Sequence, residues 1–271
     1  MNGSRPWQDR PMLKAYAREK LQGKLLACFA ACLLPRLITL VMRLVPSNLG
    51  LVYFLLADTY VVGVSVPMSL VALAAAVFVT DPMQVRLAGY FLSLKADGKK
   101  APSPGTICDC FGEDYWHNVR GMLLRGVYTT LPTTVLFGLS LLTPGAVARQ
   151  TVQGYDCICL NPSLPLMALG LLVWAYTYVT SIFMRPILAQ DLDATAREAL
   201  RRSCGLIRGR LWEMIVLGLS FLPWLLLTAA TIVPALFLLP YAEGTLMEYY
   251  IAMTDPVPHH LDGGPEDEDA A

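Results

Sequence analysis

Residues 193–253 constrain this chain more than any other stretch. A basic amphipathic segment with Arg197, Arg201, Arg202, Arg208 and Arg210 runs directly into residues 211–253, whose only charges are Glu213, Glu243 and Glu248. Charge is costly in hydrocarbon, and Lys/Arg-rich segments flank membrane spans on the cytoplasmic side. The junction therefore reads as a membrane boundary. Composition agrees: 55% of the residues are hydrophobic and 15% charged, against about 25% charged in an ordinary soluble domain.

A spanning helix needs about 20 mostly apolar residues. Residues 25–45, 62–80, 122–142 and 164–184 meet that length, the first interrupted by Arg36 and Arg43 and the third carrying Arg125 near its start. The block 212–253 is too long for one span, since at 1.5 Å per residue it would reach roughly 60 Å. Pro223 and Pro234 offer break points, which divides it into 212–231 and 235–252. The expected fold is all-α, a polytopic transmembrane bundle of about six spans with amphipathic interfacial helices; five spans is the alternative. Its expected parts are an interfacial segment 1–24, a membrane domain 25–253 and a disordered acidic tail 254–271.

Net charge is zero, but the charges are segregated. With a cytoplasmic N-terminus, the inside segments hold Arg5, Arg10, Lys14, Arg18, Lys20, Lys24, Arg86, Lys95, Lys99, Lys100, Arg120, Arg185 and the five arginines of 197–210, whereas the outside segments hold only Arg149. That bias orients the chain N-inside in a cell membrane. The acidic residues are densest in the tail GGPEDEDAA, and no bulk electrostatic partner such as nucleic acid is indicated. The first apolar run follows a long basic segment and lacks a small-residue cleavage site, which favours a retained anchor over a signal peptide.

Residues 9–24 place Leu13, Tyr16, Ala17 and Leu21 on one helical face and Lys14, Arg18 and Lys20 on others. Residues 192–208 repeat the pattern with Ala196, Ala199, Cys204 and Ile207 among arginines. Both suit helices lying on an anionic leaflet, the alternative being solvated cytoplasmic helices. A short internal repeat is also visible. Gly23, Gly121 and Gly209 each precede an odd-numbered span, and Pro82, Pro186 and Pro240 lie at or near the ends of the even-numbered ones.

Candidate chemistry is sparse. Ionisable groups within spans are functional hypotheses by default. Arg36 falls near the bilayer midplane and Arg43 shares its face, with Asp58, Glu213, Glu243 and Glu248 as candidate counter-charges. Arg36, Arg43, Asp58 and Glu243 make up the candidate intramembrane polar site, read either as a polar cavity that binds or passes an anionic substrate, or as a structural ion pair, or as an arginine facing water at the end of a first helix shorter than 25–45. Cys108, Cys110 and His117 form a thin metal candidate without a second ligand pair, and Cys157/Cys159 lie in an outer loop. Cys28, Cys32 and Cys204 suit helix–helix contacts. No hydrolase, metalloprotease, phosphate-loop or dinucleotide motif occurs. An enzyme is therefore not expected, and neither is a cofactor.

One resemblance is specific. Ala199-Leu200-Arg201-Arg202-Ser203, Gly209, Leu219-Ser220-Phe221 with Trp224, Pro240-Tyr241 and Tyr249-Tyr250 resemble uncharacterised multi-pass membrane proteins of bacteria, the domain-of-unknown-function family 975. The opening Ala17-Arg18 through Gly23 is similar to that family's N-terminus. The likeness implies an integral membrane protein and supplies no activity. Two function classes remain. One is a small permease-like or channel-like component lined by the Arg36 region. The other is a non-transporting scaffold or lipid-binding protein in envelope homeostasis, whose basic helices engage the bilayer, anionic head groups and a membrane-protein partner. An enzyme acting on lipid head groups is a distant third.

Overall fold

The computed structural model describes residues 10–57, 73–94, 102–143, 147–152, 155–160, 163–230 and 233–254, with backbone alone for 42–57 and for the strands within 147–160. The elements are helices α1 (Arg10–Leu21), α2 (Leu25–Ala57), α3 (Asp81–Leu92), α4 (Tyr115–Leu141), α5 (Leu164–Thr180), α6 (Met184–Gln190), α7 (Ala196–Ile207), α8 (Leu211–Leu219), α9 (Leu222–Ala230) and α10 (Val233–Thr254). A π-helical turn, Ala76–Thr80, leads into α3, and a 3-10 helix, Pro104–Phe111, follows it. One addition departs from the all-α expectation. Strands β1 (Val147–Val152) and β2 (Tyr155–Leu160) pair antiparallel, with Val152 opposite Tyr155. The β-branched and aromatic residues of this loop, separated by Gln153-Gly154, have the spacing of a two-residue hairpin.

Among the described residues, two helical stretches are long and apolar enough to cross a membrane, Leu164–Gln190 and Leu211–Thr228, and a third is added if the bent pair Pro11–Leu21 and Leu25–Val41 counts as one. The first combines α5 and α6, the second α8 and α9. Pro223 and Pro234 occupy the second positions of α9 and α10, where a missing N–H breaks no intrahelical bond. A further break falls at Ser220 and Phe221, dividing the fifth expected span. Much of the second expected span lies outside the described residues, as do Asp58 and the tail from 255 onward.

Helix α4 is less apolar because of a threonine run. Each hydroxyl is satisfied locally: Thr129 donates to the Arg125 carbonyl at 3.0 Å, Thr130 to Gly126 at 2.7 Å and Thr134 to Leu131 at 2.9 Å. Such back-bonding leaves no hydroxyl of this run unpaired, which suits a lipid environment.

The chain forms two compact units, residues 1–115 with 212–271 and residues 116–211. In the first, α10 is the hub, touching α1, α2, α3 and α9. Its core holds Cys28 and Cys32 of α2, Met83 and Phe91 of α3, Ile107 and Cys110 of the 3-10 helix, and Met247 of α10. In the second, the Gly121 position of α4 lies so close to the Leu188 side chain of α6 that no Cβ fits without displacement. Arg125 is buried there; its Nε donates to Ser181 Oγ at 3.4 Å and its guanidinium lies 5.3 Å from the Tyr178 ring centroid.

The repeat is real in part. Gly23 and Gly209 both adopt left-handed backbone, with φ of 75° and 83°, at the exit of a basic amphipathic helix. Gly121 instead lies inside α4. In three places a proline-bearing helix packs against a segment that precedes a further helix: α3 against the 3-10 helix, α6 against α7, and α10 against α1.

Candidate functional site

Helix α1 is built to lie across the helix that follows it. Leu13, Ala17 and Leu21 form an i, i+4 stripe and are all buried, and α1 packs on α10. The approach is close, for a Cβ at Gly244 of α10 would lie 3.7 Å from Leu21 Cδ1 and 3.8 Å from Ala17 Cβ. At Gly23 the left-handed residue ends the helix, as only glycine does without strain. The axes of α1 and α2 then meet at 98°.

Ion pairs and hydrogen bonds fasten this arrangement. Lys20 Nζ lies 2.6 Å from Glu248 Oε1, and the Glu248 side chain is only 4% exposed. Lys14 Nζ donates to Ser220 Oγ at 2.7 Å and stands 4.8 Å from the Phe221 ring centroid. Phe221 in turn meets Tyr241 edge-on. Tyr249 donates its hydroxyl proton to Glu213 Oε2 at 2.7 Å. Four of the strings that carry the family likeness, the Ala17–Gly23 opening, Leu219-Ser220-Phe221, Pro240-Tyr241 and Tyr249-Tyr250, thus meet at one junction of α1, α8, α9 and α10, whereas Ala199–Ser203 and Gly209 belong to the second unit.

Of the candidate intramembrane site, the described side chains bring Arg36 and Glu243 together at 3.4 Å, and Arg36 Nη1 donates to the Cys32 carbonyl at 2.8 Å. Glu248 and Glu213, the other candidate counter-charges, are engaged by Lys20 and Tyr249 instead. Arg43 lies in α2 with its side chain outside the description, and Asp58 is outside it altogether. A cavity of about 960 Å³ opens beside α1, α9 and α10, and Arg36 is not among its walls. Neither this cavity nor the lysine contacts were foreseen, because each depends on which faces of distant segments meet.

Helix α7 uses its charge differently. Thr195 caps it, its hydroxyl accepting from the Glu198 N–H at 3.3 Å. Ala199, Ser203 and Ile207 form the buried stripe. Ser203 Oγ donates to the Thr180 carbonyl at 2.8 Å, where the break between α5 and α6 frees an acceptor. Arg202 turns back on Asp191 at 2.7 Å and Glu198 at 2.6 Å. Its hydrogen bond is the main reason the Asp191 carboxyl is held below its ordinary pKa. Arg210 is half-buried, with Nη1 reaching the Leu206 carbonyl at 3.5 Å. Arg197, Arg201 and Arg208 are exposed and make no ion pair among the described residues. Three of the five arginines read as lipid-facing are therefore without a protein counter-charge among the described residues.

The cysteines divide. Cys108 is exposed, whereas Cys110 is buried and desolvation pushes its thiol up to about 11. These two belong to the first unit and His117 to the second. Among the described residues no group of three His, Cys, Asp or Glu side chains is placed to hold a metal ion. Cys28 and Cys32 are core residues, and Cys204 Sγ lies 3.9 Å from the Tyr128 hydroxyl. Cys157 and Cys159 alternate along β2, opposite Gln150 and Ala148.

No curated protein and no solved structure matches this chain. A family does match, over residues 7–256, and the chain belongs to it: the family described as Protein of unknown function (DUF975).

Proposed function

We propose that this is a multi-pass cell-membrane protein, N-inside and with about six spans, that neither transports nor catalyses. In this reading α1 and α7 lie in the cytoplasmic interface, where they engage anionic lipid head groups and hold a membrane-protein partner. The observation that carries the reading is α7. One face is packed through Ala199, Ser203 and Ile207, and its exposed surface presents Arg197, Arg201 and Arg208 without a protein counter-charge among the described residues. The right angle between α1 and α2 supports it, since a basic helix perpendicular to a spanning one lies in the membrane plane.

The test uses the full chain, purified from membranes, with co-purifying lipids quantified by mass spectrometry. A triple Arg197→Glu, Arg201→Glu, Arg208→Glu variant should lose its enrichment in anionic lipid, each basic residue near an anionic surface being worth about 1 kcal/mol. In the unaltered chain the enrichment should fall with salt. Lipid composition indifferent to both the variant and salt defeats the reading.

A permease-like reading has one supporting observation: the Arg36 side chain is 41% exposed despite its pairing with Glu243. Substrate flux in proteoliposomes that disappears in Arg36→Gln would replace the scaffold reading with this one.

A further inference from the structure

The geometry points to a site for one phosphatidylethanolamine molecule in the groove beside α1. The groove has about 960 Å³ of space, within the range of roughly 300–1,000 Å³ usual for ligand pockets. Its walls are of two kinds. At the end of α1, Arg18, Glu19 and the following Gln22 line it beside the apolar Leu21, Gln22 lying at helical spacing from both charged residues. Opposite them stand Trp224, Phe237 and Leu238 of α9 and α10. Trp224 and Phe237 are about half exposed, at 52% and 53%.

This division matches a molecule with a charged end and a long apolar end. Because α1 meets α2 at 98°, a spanning α2 puts the polar wall at interface depth and the apolar wall toward the hydrocarbon. The Arg18 and Glu19 side chains are exposed and make no side-chain hydrogen bond or ion pair among the described residues. Neighbours in sequence, they point about 100° apart around the helix and do not satisfy each other. One cation and one anion, both open, favour a ligand bearing one charge of each sign. A phosphodiester takes the guanidinium in a charge-assisted hydrogen bond, and a primary ammonium donates to the carboxylate. A quaternary ammonium has no proton to donate, and a glycerol head group offers Glu19 only neutral hydroxyls, which make weaker hydrogen bonds than an ammonium and carry no compensating charge.

The site rests on the interfacial placement of α1 proposed above, but not on the arginines of α7. Native mass spectrometry of the full chain, titrated separately with phosphatidylethanolamine, phosphatidylcholine and phosphatidylglycerol, tests it. One ethanolamine lipid should bind about tenfold more tightly than either of the others, in line with the strength of a hydrogen bond to a charged group. Arg18→Ala should weaken it about tenfold, and Glu19→Gln should remove the preference over phosphatidylglycerol. Ala15→Trp, on the exposed face of α1, should block all three lipids while thermal unfolding stays unchanged. The α7 triple variant should bind ethanolamine lipid as the unaltered chain does, which separates failure of this site from failure of the wider reading. Equal affinity for the three lipids, no retained lipid, or binding indifferent to Arg18→Ala and Glu19→Gln each overturns the site.

Discussion

Helices α1 and α7 share a plan and spend their charge in opposite ways. Both are twelve-residue basic amphipathic helices with a buried i, i+4 stripe, and both are followed by a left-handed glycine. Helix α1 turns Lys14 and Lys20 inward, to Ser220 and to the buried carboxylate of Glu248. Helix α7 docks through a neutral hydroxyl, Ser203, and leaves Arg197, Arg201 and Arg208 outside. A basic helix before a span is therefore not one device. Where a partner helix carries a buried carboxylate, its cations become fasteners; where the partner offers a carbonyl, they remain for the surroundings.

The sharpest way to break this comparison is Lys20→Ala. It takes the ammonium away from the buried carboxylate of Glu248, only 4% exposed, and removing one partner of a buried pair costs about 3–5 kcal/mol. Thermal unfolding of the detergent-solubilised chain should show a large loss, whereas Arg201→Ala in α7 should show almost none. Replacing both partners, Lys20→Met with Glu248→Leu, should recover much of the stability, because no charge is then left uncompensated. Equal effects of Lys20→Ala and Arg201→Ala would erase the distinction.

The shared turn gives a smaller and more even effect. Gly23→Ala and Gly209→Ala each place a side chain in left-handed backbone, at about 1–2 kcal/mol, and neither Cβ meets another atom within 4 Å. Equal losses at the two sites are expected by the same unfolding measurement. A loss at only one would show that the turns are alike in shape but not in strain.

The smallest effect belongs to the Arg202–Asp191 clasp. The Asp191 carboxyl has its pKa depressed by the Arg202 hydrogen bond, so its contribution is present above the ordinary carboxyl value of 3.8 and is lost as pH falls through the lowered one. Both side chains are open to solvent, 49% and 36% exposed for Arg202 and Asp191, which keeps the effect small. Asp191→Asn should lower the unfolding temperature slightly at neutral pH, and the difference from the unaltered chain should vanish on strong acidification.

How far the fold was legible varies by element, for physical reasons. Helix α5 begins at Leu164 and α8 within a residue of its expected start, because the apolar runs there have sharp edges. Helix α2 runs on to Ala57, past the expected end at 45, although Pro46 lies on the way; composition marks where hydrocarbon suits a chain, not where a helix stops. The β1–β2 ribbon was missed because a short alternating segment inside a long loop carries a weak signal. The Arg36–Glu243 pair was among the options the sequence left open. That Glu248 belongs to Lys20 was not, since only the docking of α1 on α10 brings these groups together.

Residue pattern alone was enough for the membrane class, the basic helices at span boundaries and the family, because these depend on local hydropathy, charge and short strings. Only the tertiary structure decided which basic residues are bound and which are open. A lysine and an arginine look alike in sequence, but their roles depend on the face they occupy and on the group opposite, and that group comes from a helix more than two hundred residues away.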